Sequence, residues 1–186
     1  MKPEDQRVML TKKLLKDSFV KLLMDKNIFK ITVRELCDTA GINRSTFYKY
    51  YENQFSLLTE MEGEIITKID YSLNLSQKNA KADNFGMLVV ILSMLEENVE
   101  FARLLVNNNV DPDFPQKLIN SPQIQNLIAQ QLQTKYSEEQ IDYIVIFITQ
   151  GGYHMIQKWI NKNHREPAKE MAKLINEFYT NFLNRL

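Results

Sequence analysis

A short run of polar and basic side chains carries the clearest chemistry in this sequence. Arg44, Ser45 and Thr46 directly follow Asn43, whose side chain is suited to capping a helix N-terminus. The pattern therefore predicts that these three residues lie in the first turn of a short helix. A guanidinium and two hydroxyls at the leading end of a helix suit hydrogen bonding to DNA, because recognition helices present their N-terminal residues to base edges in the major groove.

The residues before Asn43 predict the first helix of a helix-turn-helix. Thr32 followed by Glu35 is typical of a capping box, in which each side chain bonds the other residue's backbone amide. Leu36 and Ala40 repeat at four-residue spacing, which predicts one apolar helix face. Gly41 then ends the helix, because glycine adopts the left-handed conformation without steric cost.

The segment from Ile31 to Leu58 resembles the DNA-binding head of the TetR/AcrR transcriptional regulators. With the preceding helix, the resemblance covers roughly the first third of the chain. The matching features are the Ile-Thr-Val-Arg-Glu-Leu opening, Ala40-Gly41-Ile42, Ser45-Thr46-Phe47-Tyr48, and Tyr51-Glu52-Asn53 leading to Leu57-Leu58.

The resemblance implies a set of DNA contacts after the turn. Arg44 would read a base edge, where a bidentate pair with guanine discriminates by about 1–3 kcal/mol; a phosphate or solvent contact is the alternative. Ser45 and Thr46 would reach bases or phosphates. Tyr48 and Lys49 match positions that commonly grip the backbone, and Tyr50 matches one that touches phosphate or base.

The resemblance also assigns roles on either side of this run. Arg34 would face DNA, the alternative being a surface salt bridge with Asp38 one turn on. Phe47 and Tyr51 would pack into the head. Relatives often carry a phosphate-holding lysine where Gln54 stands, so this contact should add less to the salt dependence of binding. The amides of that helix N-terminus would remain available to a phosphate.

Charge is unevenly distributed along the 186 residues, although the formal net charge is zero. Residues 1–51 hold 11 Lys/Arg and 6 Asp/Glu, and residues 52–186 hold 12 and 17. A phosphate-binding surface in the head would account for this surplus of basic residues, although chance clustering also explains it. Lys12, Lys13 and Lys16 could approach a DNA backbone or simply form a solvated face.

Composition predicts an all-α fold. Only five glycines and five prolines occur, which favours helices over a turn-rich β fold. The longest charge-free stretch, 143–157, is too short to span a membrane, and the N-terminus lacks the pattern of a secretory signal. Cys37 is the only cysteine, and it is expected to be a small core residue rather than a redox sensor. These features predict a cytoplasmic protein.

Apolar periodicity predicts a three-helix head at 1–52 and a second helical domain at 53–186. The resemblance implies that this second domain binds an effector and mediates dimerisation. The first helix should span Pro3 to about Asp25, and a long helix should run from Gln54 to about Leu75. A loop is expected over 76–84, two helices over 85–106 with a break near Asn98, and a turn over 107–115. A helical segment should restart at Ser121, with Pro122 at its first position.

The apolar run 141–148 is β-branched and could be a strand if taken alone. A capping box at Ser137 and apolar continuation through Trp159 and Ile160 favour a helix. A helix that is apolar nearly all round must be buried in a core or a subunit interface. After a polar turn, Pro167 should start a last helix. The resemblance implies that the last two helices pair with those of a second subunit as a four-helix bundle.

No enzyme or metal site is expected. His154 and His164 are the only histidines, and neither has a carboxylate or cysteine at metal-ligand spacing. There is no phosphate-binding glycine loop and no Gly-x-Ser-x-Gly elbow, and no cofactor is implied. Residues that could line an effector pocket, with core packing as the alternative role, are Met87, Met94, Phe101, Tyr153, His154, Met155 and Trp159.

The resemblance, taken with these features, predicts a ligand-responsive repressor that binds a palindromic operator in double-stranded DNA as a homodimer. The resemblance implies that a small molecule in the C-terminal domain weakens DNA binding. An activator or co-activator of the same fold is one alternative. A ligand sensor or interaction module that has lost DNA binding is another.

Overall fold

The computed structural model describes residues 3–78, 84–107 and 109–185, and within these ranges it contains helices and no strand. The fold is all-α, as predicted. The chain divides into two compact units, Met1–Ile65 and Ile66–Leu186, which we call the head and the body. The division falls within one long helix, and the domain boundary expected at 52/53 stays a prediction.

The head contains α1 (Pro3–Asp25), a 3-10 turn (Ile28–Lys30), α2 (Val33–Ala40), α3 (Arg44–Phe47) and the first part of α4 (Gln54–Lys78). The bounds predicted for α1 are confirmed. α1 packs against α2, and α2 packs against α3. The fully buried side chains of the head come from all of these elements and form its core: Leu15, Phe19, Ile28, Ile31, Leu36, Phe47 and Leu57.

Among its described residues, the body contains the rest of α4 and six further helices. They are α5 (Asn84–Glu97), α6 (Val99–Val106), α7 (Phe114–Ile119), α8 (Pro122–Leu132), α9 (Glu138–Ile160) and α10 (Ala168–Arg185). One core joins α5, α6, α9 and α10 around Trp159, and a second joins α8 to the N-terminal half of α9. The predicted break between α5 and α6 is confirmed, since Asn98 lies outside helical geometry at φ −119° and ψ 40°.

The β-branched run 141–148 lies within α9 and is helical, as predicted. Ser137 Oγ accepts a hydrogen bond from Gln140 N, and the Gln140 side chain bonds the Ser137 amide, so the predicted capping box is formed. This cap satisfies amides that the first turn of a helix leaves without partners. Local capping and length therefore outweigh the β propensity of the run.

Several predicted boundaries were wrong. Residues 76–78 continue α4 rather than starting a loop, and residues 79–83 of that loop lie outside the described residues. α7 begins at Phe114, inside the turn predicted for 107–115, because Pro115 is well placed in a first helical turn. Ser121 precedes α8 as predicted, but its hydroxyl donates to Gln123 Oε1 at 3.1 Å instead of capping the backbone.

Large apolar side chains remain exposed on α9 and α10. The sequence predicts that α9 is buried in a core or a subunit interface, and in the single chain Tyr143, Ile146 and Phe147 are 58–69% exposed. Leu174 and Phe178 on α10 are also exposed. The rings of Phe147 and Phe182 lie 5.2 Å apart, so the exposed sides of the two helices adjoin. We call Tyr143, Ile146, Phe147, Leu174 and Phe178 the apolar face. Within the described ranges, no helix is both long enough and apolar enough to cross a membrane.

Candidate nucleic-acid interface

The turn between α2 and α3 has the geometry that the sequence predicts. Gly41 lies at φ 66° and ψ 27°, in the left-handed region, and its N–H points back to the carbonyls of Cys37 and Asp38. Ile42 N donates to Cys37 O at 3.0 Å. These bonds satisfy carbonyls at the end of α2, and the left-handed residue turns the chain sharply toward α3.

α3 is short, and the chain tightens immediately after it. Asn43 Oδ1 accepts from Ser45 N at 3.2 Å, which confirms the predicted cap. The amides of Tyr50 and Tyr51 both donate to Phe47 O, at 2.9 and 3.0 Å. Phe47 and Tyr51 are 0% and 4% exposed, and their rings lie 5.4 Å apart. These two aromatic residues therefore hold residues 44–50, which we call the recognition segment, against the head core.

The polar side chains of the recognition segment point away from that core. Arg44, Ser45 and Lys49 are exposed, and Tyr48 is 58% exposed. Thr46 and Tyr50 are half-buried. The structure thus brings all six predicted DNA-contacting residues of this segment together on one short stretch of backbone. Four of them are well exposed to solvent.

Arg34 lies on α2, and its Nε is 3.7 Å from Asp38 Oδ2. Both side chains are more than 70% exposed, so the pair contributes at most about 1 kcal/mol. The salt bridge considered as an alternative is formed, but it is weak enough for a phosphate to replace it.

The N-terminus of α2 is only partly capped as predicted. Thr32 Oγ1 accepts from Glu35 N at 3.2 Å. The Glu35 carboxylate, however, accepts from Lys26 Nζ rather than reaching back to the Thr32 amide. An ammonium group within reach is the stronger partner, because a charge-assisted hydrogen bond exceeds one to a neutral amide.

The N-terminus of α4 differs from the expectation that its amides remain available to a phosphate. Asn53 Oδ1 accepts from both Phe55 N and Ser56 N, at 2.9 and 3.0 Å. Ser56 Oγ in turn accepts from the amides of Glu52 and Asn53. The expectation was wrong for these four amides, because neighbouring side chains already satisfy them. Gln54 is half-buried beside them.

Three lysines of α1, at positions 12, 13 and 16, are paired with carboxylates. Lys12 Nζ lies 2.7 Å from Glu60 Oε2, and Lys16 Nζ lies 3.0 Å from Glu60 Oε1 and 2.5 Å from Glu64 Oε1. Lys13 lies 3.7 Å from Asp17. Lys12 and Lys16 are therefore tied to α4, and they form neither the solvated face nor the free phosphate-binding surface that the sequence suggested.

Glu60 is the residue of this region that sequence reasoning missed. Its carboxylate also accepts from the Tyr51 hydroxyl at 2.8 Å. Partial burial alone would raise the pKa of Glu60, but hydrogen bonds from Lys12, Lys16 and Tyr51 lower that pKa to about 2. Burial and the bond to Glu60 raise the pKa of Tyr51. The signal in the sequence that pointed to Glu60 is a matching spacing: Lys12 and Lys16 are four residues apart, and so are Glu60 and Glu64.

Cys37 is 1% exposed, and burial raises the pKa of its thiol. A protonated, buried thiol is a poor nucleophile, which favours the predicted role as a small core residue. Among the described residues, no group of three or more His, Cys, Asp or Glu side chains is arranged to hold a metal ion.

The residues proposed for an effector pocket do not all lie together. Trp159 is 1% exposed in the main body core, and Met94 and Tyr153 pack against that core. Phe101 is buried outside this cluster. His154 is exposed, with Nδ1 3.2 Å from Gln157 Oε1.

Tyr153 belongs to a reciprocal cap between α6 and α9. Its hydroxyl and the side-chain Nε2 of Gln157 both donate to Val106 O at the end of α6, at 2.7 and 2.6 Å. In return, Arg103 of α6 donates to the carbonyls of Ile160 and Lys162, at 2.9 and 3.2 Å, at the end of α9. Each helix thus satisfies carbonyls at the end of the other.

Comparison with solved structures places this architecture among known regulators. The dihydroxyacetone kinase operon activator DhaS matches with a TM-score of 0.65 at 19% identity, covering 96% of this chain and 98% of that one. A TetR transcriptional regulator from Streptococcus agalactiae 2603V matches with a TM-score of 0.60 at 22% identity, covering 94% and 96%. FadR from Thermus thermophilus, solved with lauroyl-CoA, matches with a TM-score of 0.52 at 12% identity, covering 91% and 93%.

Sequence comparison points the same way. The DhaS protein of Lactococcus lactis subsp. lactis (strain IL1403), named an HTH-type dhaKLM operon transcriptional activator, is 29% identical over 100 residues. That alignment covers 52% of this chain and 49% of DhaS, so it spans about half of each protein.

A family model covers most of the body. The TetR_C_8 model, described as "Transcriptional regulator C-terminal region", matches residues 83–181, which is more than half of the chain. Its match is independent of the helix-turn-helix, which lies wholly in the head. On this evidence the chain is a member of the TetR family of transcriptional regulators rather than an enzyme.

Proposed function

We propose that this protein binds operator DNA through the recognition segment. The observation that carries the proposal is the left-handed turn at Gly41, followed by a capped α3 whose exposed residues are Arg44 and Ser45. Such a helix can enter the major groove with its leading side chains against base edges. The surplus of basic residues in 1–51 favours approach to phosphate.

Each predicted contact residue has a role in this proposal. Arg44 reads a guanine edge, and Ser45 and Thr46 hydrogen-bond to bases or phosphates. Tyr48 and Lys49 contact the backbone, Tyr50 contacts phosphate or base, and Arg34 contacts a phosphate after leaving Asp38. Phosphate contacts fix the register of the segment on the duplex, whereas base contacts supply its specificity.

The test begins by selecting duplexes from a randomised pool with the wild-type protein. Arg44→Ala and Tyr48→Ala should each weaken binding to the selected duplex in a gel shift. We expect about 10- to 100-fold loss for Arg44→Ala, from a lost bidentate contact worth about 1–3 kcal/mol.

Matched controls lie in the body. Tyr71→Ala removes a tyrosine that is as exposed as Tyr48, at 65% against 58%, and Lys169→Ala removes an exposed cation of α10. Both controls should bind like the wild type. If Arg44→Ala and Tyr48→Ala also bind like the wild type, the recognition segment does not contact DNA.

The proposed assembly is a homodimer formed through α9 and α10. In a monomer the apolar face would leave large apolar side chains in water, and exposed patches of this kind mark interaction sites. Charge also favours a second copy, because exposed Glu138, Glu139 and Asp142 lie near the start of α9 and exposed Lys158 lies near its end. Antiparallel pairing about a two-fold axis would set these opposite charges against each other.

A homodimer predicts a palindromic operator. Two recognition segments related by a two-fold axis would enter successive major grooves, about one helical turn apart or slightly more. The duplexes recovered in the selection should therefore contain two inverted half-sites. Recovery of single half-sites only would count against a dimer as the binding species.

We further propose that a small ligand in the body weakens DNA binding, with the side chains of Met94, Tyr153 and Trp159, which lie together in the main body core, as the candidate contacts. FadR, a relative in fold, was solved with lauroyl-CoA, so lauroyl-CoA is the first probe. A ligand that releases DNA must bind less tightly to the DNA-bound protein, by the same factor. The probe should raise the melting temperature of the wild-type protein and lower its affinity for the selected duplex. If a screen of acyl-CoA and other small metabolites finds none with both effects, the ligand-responsive role fails.

Repression is the regulatory output that we propose first, and activation is the second candidate. Activation is favoured by one observation, the 29% identity to an operon activator over half of the chain. A reporter fused to the promoter that carries the selected site should rise in a deletion strain under repression and fall under activation.

A further inference from the structure

We propose that Glu60 is a positioning residue for DNA recognition: it holds Lys12 against Tyr50 and Tyr51 and thereby fixes the end of the recognition segment. This inference depends on the proposed function, because it assigns a role in the same DNA-binding site. Glu60 itself lies on α4 and is not one of the residues expected to touch DNA.

The geometry places one carboxylate between three elements of the head. Glu60 Oε2 accepts from Lys12 Nζ of α1 at 2.7 Å, and Glu60 Oε1 accepts from the Tyr51 hydroxyl at 2.8 Å. Lys16 Nζ of α1 adds a contact of 3.0 Å to Oε1. Both oxygens are therefore engaged, and the partners come from α1 and from the residue that directly follows the recognition segment.

Lys12, which is held by Glu60, contacts the ring of Tyr50 in turn. Its ammonium lies 5.4 Å from the centroid of the Tyr51 ring and 5.9 Å from the centroid of the Tyr50 ring, within cation–π range of both. Tyr51 is almost fully buried, whereas Tyr50 is half-buried. The buried ring anchors the chain, and the half-buried ring is the one left to contact DNA. Without the charge on Glu60, the ammonium has no fixed position above either ring.

The pairing also decides what Lys12 does. An ammonium that is held 2.7 Å from a carboxylate and over two rings is not a free cation for phosphate. Lys12 would then act on the shape of the recognition segment rather than directly on the DNA backbone. This distinguishes the proposal from a direct Lys12–phosphate contact, because the two predict opposite effects when Glu60 is neutralised.

Glu64 provides a matched control on the same helix. It lies one turn after Glu60, is 53% exposed, and pairs with Lys16 at 2.5 Å. Glu64→Gln removes the same charge from the same surface of α4, but it leaves the contacts of Glu60 with Lys12 and Tyr51 in place. A general electrostatic effect of one fewer negative charge would appear equally in both variants.

The experiment measures the affinity of Glu60→Gln, Lys12→Met and Glu64→Gln for two probes. The first is the duplex selected by the wild-type protein, and the second is sheared calf-thymus DNA at the same salt concentration. Glu60→Gln and Lys12→Met should each lower the affinity for the selected duplex about tenfold, which corresponds to loss of one charge-assisted hydrogen bond. Their affinity for calf-thymus DNA should change less than about twofold, because non-specific binding depends on phosphates and this proposal takes Tyr50 as a base contact. Glu64→Gln should match the wild type on both probes.

The ratio of the two affinities is the readout that a purely structural role would not move. If Glu60 only stabilises the head, both affinities should fall together, in step with the unfolded fraction measured by circular dichroism at the assay temperature. That result would overturn the proposal. So would Glu60→Gln binding the selected duplex like the wild type.

Lys12→Met keeps the proposal testable if Glu60→Gln fails to fold. If Lys12 contacts phosphate directly, Lys12→Met should weaken binding to calf-thymus DNA, which would also overturn the proposal. Failure of the underlying DNA-binding function looks different: the wild type would then select no duplex, or Arg44→Ala would bind like the wild type.

Discussion

The recognition segment and the apolar face expose opposite kinds of side chain. In the recognition segment the apolar ring of Phe47 is fully buried, while side chains with polar groups face solvent: Arg44, Ser45, Tyr48 and Lys49. On α9 the large side chains of Tyr143, Ile146 and Phe147 face solvent instead. The recognition segment is thus complete as a surface of a single chain and suits a polar, charged partner. The apolar face gains stability only when another apolar surface covers it.

The largest effect should come from a charge placed in the apolar face. Phe147 is 64% exposed, so Phe147→Glu should cost little in the isolated chain, yet a dimer would bury the new carboxylate without a partner. In sedimentation equilibrium at micromolar concentration, the wild type should have about twice the chain mass of 21.9 kDa, and Phe147→Glu should have the mass of a single chain. Tyr71→Glu, at a position of similar exposure, should remain dimeric. A monomeric wild type would show that the face does not bind a second copy.

A substitution in the turn should have an intermediate effect on the recognition segment. An added Cβ at Gly41 meets no atom within 4 Å, so the cost of Gly41→Ala comes only from the left-handed φ of 66°, about 1–2 kcal/mol. Chemical denaturation should show that loss in the free energy of unfolding. Gly63→Ala, inside α4 and equally free of nearby atoms, should instead gain about 0.5–1 kcal/mol. Equal changes in the free energy of unfolding for Gly41→Ala and Gly63→Ala would mean that a side chain at position 41 does not strain the turn.

The smallest effect should distinguish two adjacent glycines of α9. Neither Gly151 nor Gly152 would place a Cβ within 4 Å of another atom, so within a single chain each change to alanine should stabilise α9 by about 0.5–1 kcal/mol. Gly151 is exposed and Gly152 is half-buried. If a partner helix packs closely at Gly151, Gly151→Ala should lose this gain and raise the dimer dissociation constant, whereas Gly152→Ala should keep it. Identical behaviour of the two variants would exclude close approach at this point.

Local chemistry made much of the fold predictable. Asn43 and Ser137 cap their helices, and Gly41 ends α2, because each of these interactions lies within a few residues of sequence. The same short range explains why the bounds of α1 and the break at Asn98 were correct. In the run after Ser137, the β propensity of the residues competed with the capping box and the length of the apolar pattern. The cap and the length correctly predicted a helix.

What the sequence could not supply was the partner of each polar group. Periodicity places Lys12 on a helix face, but its carboxylate partner lies 48 residues away on α4. The amides at the start of α4 were expected to be available, and side-chain bonds from Asn53 and Ser56 changed that. Periodicity likewise indicated that α9 is apolar, but not that the fold would leave Phe147 uncovered.

The reciprocal cap between α6 and α9 has a consequence for which substitutions the body tolerates. Its donors are side chains, Arg103, Tyr153 and Gln157, whereas the acceptors are backbone carbonyls of Val106, Ile160 and Lys162. A carbonyl is present whatever the residue type, so the hydrogen bonds of this cap restrict residue identity at the three donor positions only. Libraries that vary the ends of these two helices should therefore accept many residues at Lys162, where the side chain is exposed, and few at Arg103.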